Sequence, residues 1–131
     1  MDRQSAFQWA GGTLGAAPTA RGWRIFFWAA AAYNFTIGLG AFVDAEWASP
    51  EAVSAVLIFC FGILYALVAR QPERFAPVLI AGLLGKAMVV LMLGPPNWGE
   101  GGDPAIGAIV AGDLIFALGF AIFLIGSRRS A

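Results

Sequence analysis

The chain has 131 residues, enough for one domain, and 60% of them are hydrophobic, with a mean hydropathy of +0.76; soluble domains run at about 45–50% apolar, so this is the composition of a membrane protein. Eight basic residues balance eight acidic ones, so nothing suggests a nucleic-acid partner, whose footprint would be a clustered basic surface. With no histidine and a single cysteine, Cys60, the chain lacks the commonest general base, the commonest metal ligand and any dithiol, so no metal or other cofactor is expected.

The first twenty residues, with Asp2, Arg3 and the stretch from Gly11 to Gly15, have neither a basic n-region nor an apolar h-region. They read as a polar cytoplasmic tail rather than a signal peptide. Four apolar segments follow in the expected membrane domain, 21–127, at about 25–42, 52–69, 75–93 and 105–125. Each is near the roughly 20 residues that a helix needs to cross a hydrocarbon core. The connections carry Pro50, then Pro72, then Pro95 and Pro96 with Gly94, Gly99, Gly101 and Gly102, residues expected to stop a helix. Residues 128–131 are left as a short tail. The expected fold is all-α, an integral-membrane antiparallel four-helix bundle, because short loops force neighbouring helices to run in opposite directions.

Every arginine falls on one side of this arrangement. Arg3, Arg21 and Arg24 precede the first span, Arg70 and Arg74 lie in the second loop, and Arg128 and Arg129 follow the last span. The first and third loops carry Asp44, Glu46, Glu51, Glu100 and Asp103 and no base. By the positive-inside rule both termini are cytoplasmic, in a multi-pass protein of the bacterial inner membrane. Trp23 marks the inner edge of the spans, and Trp47 and Trp98 the outer one.

Lys86 and Asp113 are the charged residues inside the four apolar segments. Near the bilayer centre such a charge costs about 2.5–3.5 kcal/mol on insertion scales, so it turns inward and takes a partner. At 1.5 Å per residue both fall about 3 Å to the outer side of the midplane. Each is therefore the expected partner of the other. Asn34, near the middle of the first span, adds a third polar residue at that depth. It is flanked at helical spacing by Ala30, Ala31, Gly38 and Ala41, a stripe of small residues suited to helix contact. In the second span Ser54, Ile58, Gly62, Tyr65 and Ala66 share one side, which makes Tyr65 a candidate contributor to the cytoplasmic side of the layer. Gly82 precedes Lys86 by one turn, and Ile109, Val110, Phe116 and Ala117 surround Asp113.

Two readings of this layer stay open. In the first, Lys86, Asp113, Asn34 and Tyr65 line a solute, proton or lipid site in a homo-oligomer, since a carboxylate and an ammonium in a low dielectric can share or exchange a proton. In the second, the pair neutralises itself and fixes the register of two helices. The protein is then an accessory or scaffold subunit of a larger membrane complex, with Phe26, Phe27, Phe59, Phe61, Phe120 and Phe123 as its partner surface. No set of nucleophile, base and orienting group is present, so no catalytic residue is assigned and an enzyme is not favoured.

Small multidrug transporters have a functional glutamate in the first span, where this chain offers Asn34, and the phenylalanine and Ser/Thr signature of fluoride channels is not visible. Tyr65 to Phe75 (YALVARQPERF), Gly85-Lys86, and Gly112 to Ala117 (GDLIFA) resemble small bacterial membrane proteins of the DoxX-like kind, over roughly the last three spans. That resemblance implies a four-helix membrane fold and points at Lys86 and Asp113. It implies no reaction.

Overall fold

The computed structural model describes residues 19–130, with side chains through residue 127. Most of the expected N-terminal tail, residues 1–18, lies outside the described residues. The described chain is all-helical: α1, Arg21–Asp44; α2, Pro50–Arg70; α3, Leu79–Trp98; and α4, Pro104–Ser130. A single helical turn, Pro72–Phe75, and a 3₁₀ turn, Ala76–Val78, lead into α3. Four stretches are long and apolar enough to cross a membrane, of 24, 21, 27 and 24 residues, the third running from Pro72 through Trp98. Their length and composition support a multi-pass membrane protein.

Two helix ends differ from the expected boundaries, for local reasons. Pro72 does not interrupt the chain for long, because proline at a first helical position loses only an N–H that has no intrahelical partner. Gln71 alone separates α2 from the following turn, with its N–H on Leu67 O at 3.0 Å. Pro95 and Pro96 lie inside α3 rather than ending it at Leu93. Proline costs a helix the bond to the carbonyl four residues earlier. Here those carbonyls belong to Leu91 and Met92, in the last turns, and the side chains of Asn97 and Trp98 hold the end in place.

Asn97 Nδ2 donates to Leu93 O at 2.9 Å, and its Oδ1 accepts the Asp103 N–H at 3.1 Å. Trp98 Nε1 donates to Gly107 O at 2.9 Å. The Trp98 ring folds back so closely on Gly94 that a Cβ there would lie 2.7 Å from it. Asp103 then opens α4, its Oδ1 accepting the Ala105 N–H at 2.9 Å with Pro104 at the first position, a preferred N-terminal pairing. Ser49 does the same for α2, accepting the Ala52 N–H at 3.1 Å ahead of Pro50.

The chain divides into two compact units, one containing α1, α2, the turn to Phe75 and the end of α4 from Gly126, the other running from Ala76 to Ile125. In the first unit, Arg24 reaches Arg70, Asn34 reaches Ile58, and Gly38 approaches Ala55 and Phe59. Contacts that descend along α2 as they rise along α1 make the two helices antiparallel. The approach at Gly38 is tight. A Cβ there would sit 2.7 Å from Phe59 N and 2.9 Å from Ala55 O, so the missing side chain is what allows backbone to meet backbone. At Gly62 a Cβ would meet the Phe35 ring at 2.7 Å.

The small-residue face of α1 is buried as expected at Ala30, Ala31, Asn34 and Gly38, but Ala41 is exposed and Phe27 joins the buried face. Phe27 lies three and four residues before Ala30 and Ala31, which places it on their side of the helix. On α2 the buried set is Ala52, Ala55, Gly62, Tyr65, Val68 and Ala69. Ser54 is exposed, while Ile58 and Ala66 are half-buried. The expected aromatic partner surface does not survive intact either, because Phe27, Phe120 and Phe123 are all buried. Large aliphatic side chains such as Leu39, Leu57, Ile63, Leu84, Leu91, Leu118 and Ile122 point outward instead. Small residues at the α1–α2 contact, with large aliphatic ones turned outward, are the pattern that lipid, rather than water, selects.

Candidate functional site

The second unit holds the polar centre. Lys86, in the middle of α3, sends its ammonium to Asp113 on α4, with Nζ 2.6 Å from Oδ1. The two side chains are 7% and 13% exposed, respectively. The helix-to-helix ion pair expected from depth counting is therefore present. Helical spacing explains the shape of its surroundings. Gly82 lies one turn before Lys86 and is buried. Phe116 lies three residues after Asp113 on the same side of α4, and its ring centre is 5.6 Å from Lys86 Nζ. The ammonium thus has a carboxylate and the negative face of an aromatic ring among its contacts, and both attractions grow as water is excluded.

The pair carries no net charge, which is what makes it tolerable at this depth. A lone ammonium or carboxylate here would bear the full insertion cost, whereas each now offsets the other. Lys86 does not need to extend toward the membrane surface. Among the described residues no buried side-chain nitrogen or oxygen lacks a hydrogen-bond partner.

Asn34 and Tyr65 belong to the first unit. Asn34 is buried and its Nδ2 donates to Ile58 O at 3.0 Å, tying α1 to α2. Tyr65 is buried on α2 with the Phe61 ring 6.1 Å away. Cys60 is an exposed free thiol. Among the described residues no group of histidine, cysteine, aspartate or glutamate has the arrangement of a metal site.

Phe116 is the residue to which sequence reasoning gave a place but no role. The signal was its spacing of three from Asp113, which on a helix brings two side chains to one face. The knot at Asn97, Trp98 and Gly107 was hidden by the assumption that Pro95 and Pro96 ended the helix before it. Comparison with protein-family profiles, with curated proteins and with solved structures finds no match.

Proposed function

We propose that this is a small polytopic protein of the bacterial inner membrane whose Lys86–Asp113 pair forms a solute, proton or lipid binding or transport site. The single observation that carries the reading is the 2.6 Å contact between two nearly buried opposite charges, in the interior of two apolar spans. Such a pair can be opened from either side: a proton on Asp113 releases Lys86, and an anion on Lys86 releases Asp113. Charged residues inside membrane segments most often mark substrate or proton pathways. The distribution of arginines supports an antiparallel four-helix bundle with the segments before α1 and after α4 on the cytoplasmic side. In that bundle a homo-oligomer would supply room for a pathway. The DoxX-like resemblance agrees with such a bundle and adds no reaction.

A second reading is favoured by the completeness of the hydrogen bonding. With no orphaned buried side-chain polar atom among the described residues, the pair serves equally as the register pin of an accessory or scaffold subunit. One experiment separates the two. Lys86→Met and Asp113→Asn are each expected to lower folded yield, because each leaves the other charge unpaired, and the double change restores much of it. The proteins are then weighed intact by native mass spectrometry after gentle extraction. A wild-type homo-oligomer carrying a small-molecule or lipid mass that the refolded double variant lacks supports the site. A stoichiometric complex with other proteins, retained by the double variant, supports the subunit.

A further inference from the structure

The α1–α2 hairpin is electrically polarised from end to end. At one end Arg21 and Arg24 open α1, Arg70 closes α2 and Arg74 lies in the following turn; at the other are Asp44, Glu46 and Glu51, and all seven side chains are exposed. The basic end includes one acid, Glu73, which leaves an excess of three positive charges. The acidic end has three negative charges and no base. Over a 24-residue helix the two ends are about 36 Å apart, which matches a bilayer with part of its head-group layers.

The basic end is assembled from three segments. Arg24 Nη2 donates to Arg70 O at 3.1 Å, which joins the start of α1 to the end of α2. The Thr19 N–H donates to Glu73 Oε2 at 2.9 Å, which ties the approach to α1 to the turn after α2. The Arg74 guanidinium lies 5.1 Å from the centre of the Phe75 ring. Glu73 is thus occupied within the corner, and among the described residues no arginine comes within salt-bridge distance of a carboxylate. Four guanidinium groups share one edge of the hairpin with a single carboxylate, Glu73, which lies near Arg24 and is already held by Thr19.

We infer that this corner, formed by Arg21, Arg24, Arg70 and Arg74, binds the phosphate of an anionic phospholipid head group. Guanidinium matches phosphate oxygens in a two-point contact, and the one carboxylate of the corner, Glu73, leaves three of the four positive charges uncompensated. The depth suits a lipid, since the arginines flank apolar helices and Trp23 lies within the first turn of α1, at the level where amphipathic rings meet head groups. The acidic end of the same hairpin repels such lipids, so the site is confined to one leaflet.

The test uses the full chain in a neutral detergent, titrated with phosphatidylglycerol, phosphatidylcholine or free glycerol phosphate, with the thermal unfolding midpoint followed by tryptophan fluorescence. Phosphatidylglycerol is expected to raise the midpoint, and the other two probes to leave it where it was. Arg21→Gln with Arg74→Gln removes two of the charges without touching the Arg24 and Glu73 contacts. It is expected to weaken apparent phosphatidylglycerol affinity roughly five-fold per arginine, about twenty-five-fold together. Raising the salt to about 1 M, where screening acts within about 3 Å, is expected to weaken it likewise. Equal stabilisation by phosphatidylcholine would overturn the proposal, as would an unchanged phosphatidylglycerol response in the double variant. Stabilisation by free glycerol phosphate would reassign the corner to soluble phosphates and overturn the lipid assignment.

Discussion

Gly38→Ala should separate α1 from α2, and the amount follows from distances. The added Cβ would lie 2.7 Å from Phe59 N and 2.9 Å from Phe59 Cα and Ala55 O, all backbone atoms that cannot swing aside. Ordinary contact begins near 3.5 Å, so the helices must part locally by about 0.8 Å. The same shift would lengthen the bond from Asn34 Nδ2 to Ile58 O, one turn away, from 3.0 Å to about 3.8 Å, beyond hydrogen-bonding range. Overpacking costs about 1–3 kcal/mol and an interhelical hydrogen bond in a membrane about 0.6 kcal/mol, while the better helix propensity of alanine returns up to about 1 kcal/mol; the net is a loss of about 1–2.5 kcal/mol. The control lies on the same helix, because a Cβ at Gly40 meets nothing within 4 Å. Unfolding in mixed detergent micelles, followed by far-ultraviolet circular dichroism, should show Gly38→Ala destabilised and Gly40→Ala unchanged or slightly stabilised. Asn34→Ala should also cost less in the Gly38→Ala background than in the wild type, since the bond it removes is already broken. Equal stability of the two alanine variants would refute the close-approach argument.

Ala48 has a φ of 67° in the loop before α2, a left-handed conformation that disfavours a Cβ. Ala48→Gly should therefore stabilise the protein by about 0.5–1 kcal/mol in the same assay, the relief of strain exceeding glycine's extra entropy in the unfolded chain. Glu73 is held below the usual glutamate value of 4.5 chiefly by a hydrogen bond from the Thr19 side chain, with smaller help from the Thr19 N–H and Arg24, against a desolvation effect in the opposite sense. A depressed folded-state value makes its contribution full above 4.5 and lost as the pH falls below it. Glu73→Gln should thus flatten the acid side of the stability profile, and an unchanged profile would show that the Thr19–Glu73 tie does not matter in solution. Asn97→Ala removes the hydrogen bonds to Leu93 O and from the Asp103 N–H. It should cost about 1 kcal/mol, raise protease sensitivity between Gly99 and Asp103 and alter Trp98 fluorescence.

Hydropathy made the four spans legible because 20-residue apolar runs have few other uses in a chain of this size. Helix ends were less legible. Proline reports the loss of one N–H and a local clash, and whether a helix tolerates them depends on what else holds its last turn. At Pro95 and Pro96 that support comes from Asn97 and Trp98, whose partners lie across a glycine-rich loop. The Lys86–Asp113 contact was readable from depth alone, since two opposite charges in apolar helices at one level have no cheaper arrangement. The exact buried stripe was not, as Ala41 and Phe27 show. Both are apolar, and in lipid hydrophobicity does not distinguish the inside of a bundle from its outside. Size and shape decide instead, and Phe27 is buried where an aliphatic–small pattern would have placed only alanines.

Lipid also sets the value of the ion pair buried between apolar helices. In water an ion pair competes with hydration and contributes little. Between two apolar spans the competitor is lipid, which offers neither charge a partner, so separating Lys86 from Asp113 exposes both to the full insertion cost. The pair is therefore a strong constraint that remains sensitive to one particular perturbation, the arrival of another ion. Under the two proposed readings, register pin and ion-responsive site would be the same chemistry under different supply. Access for a second ion, rather than the strength of the pair, decides which role the protein exploits.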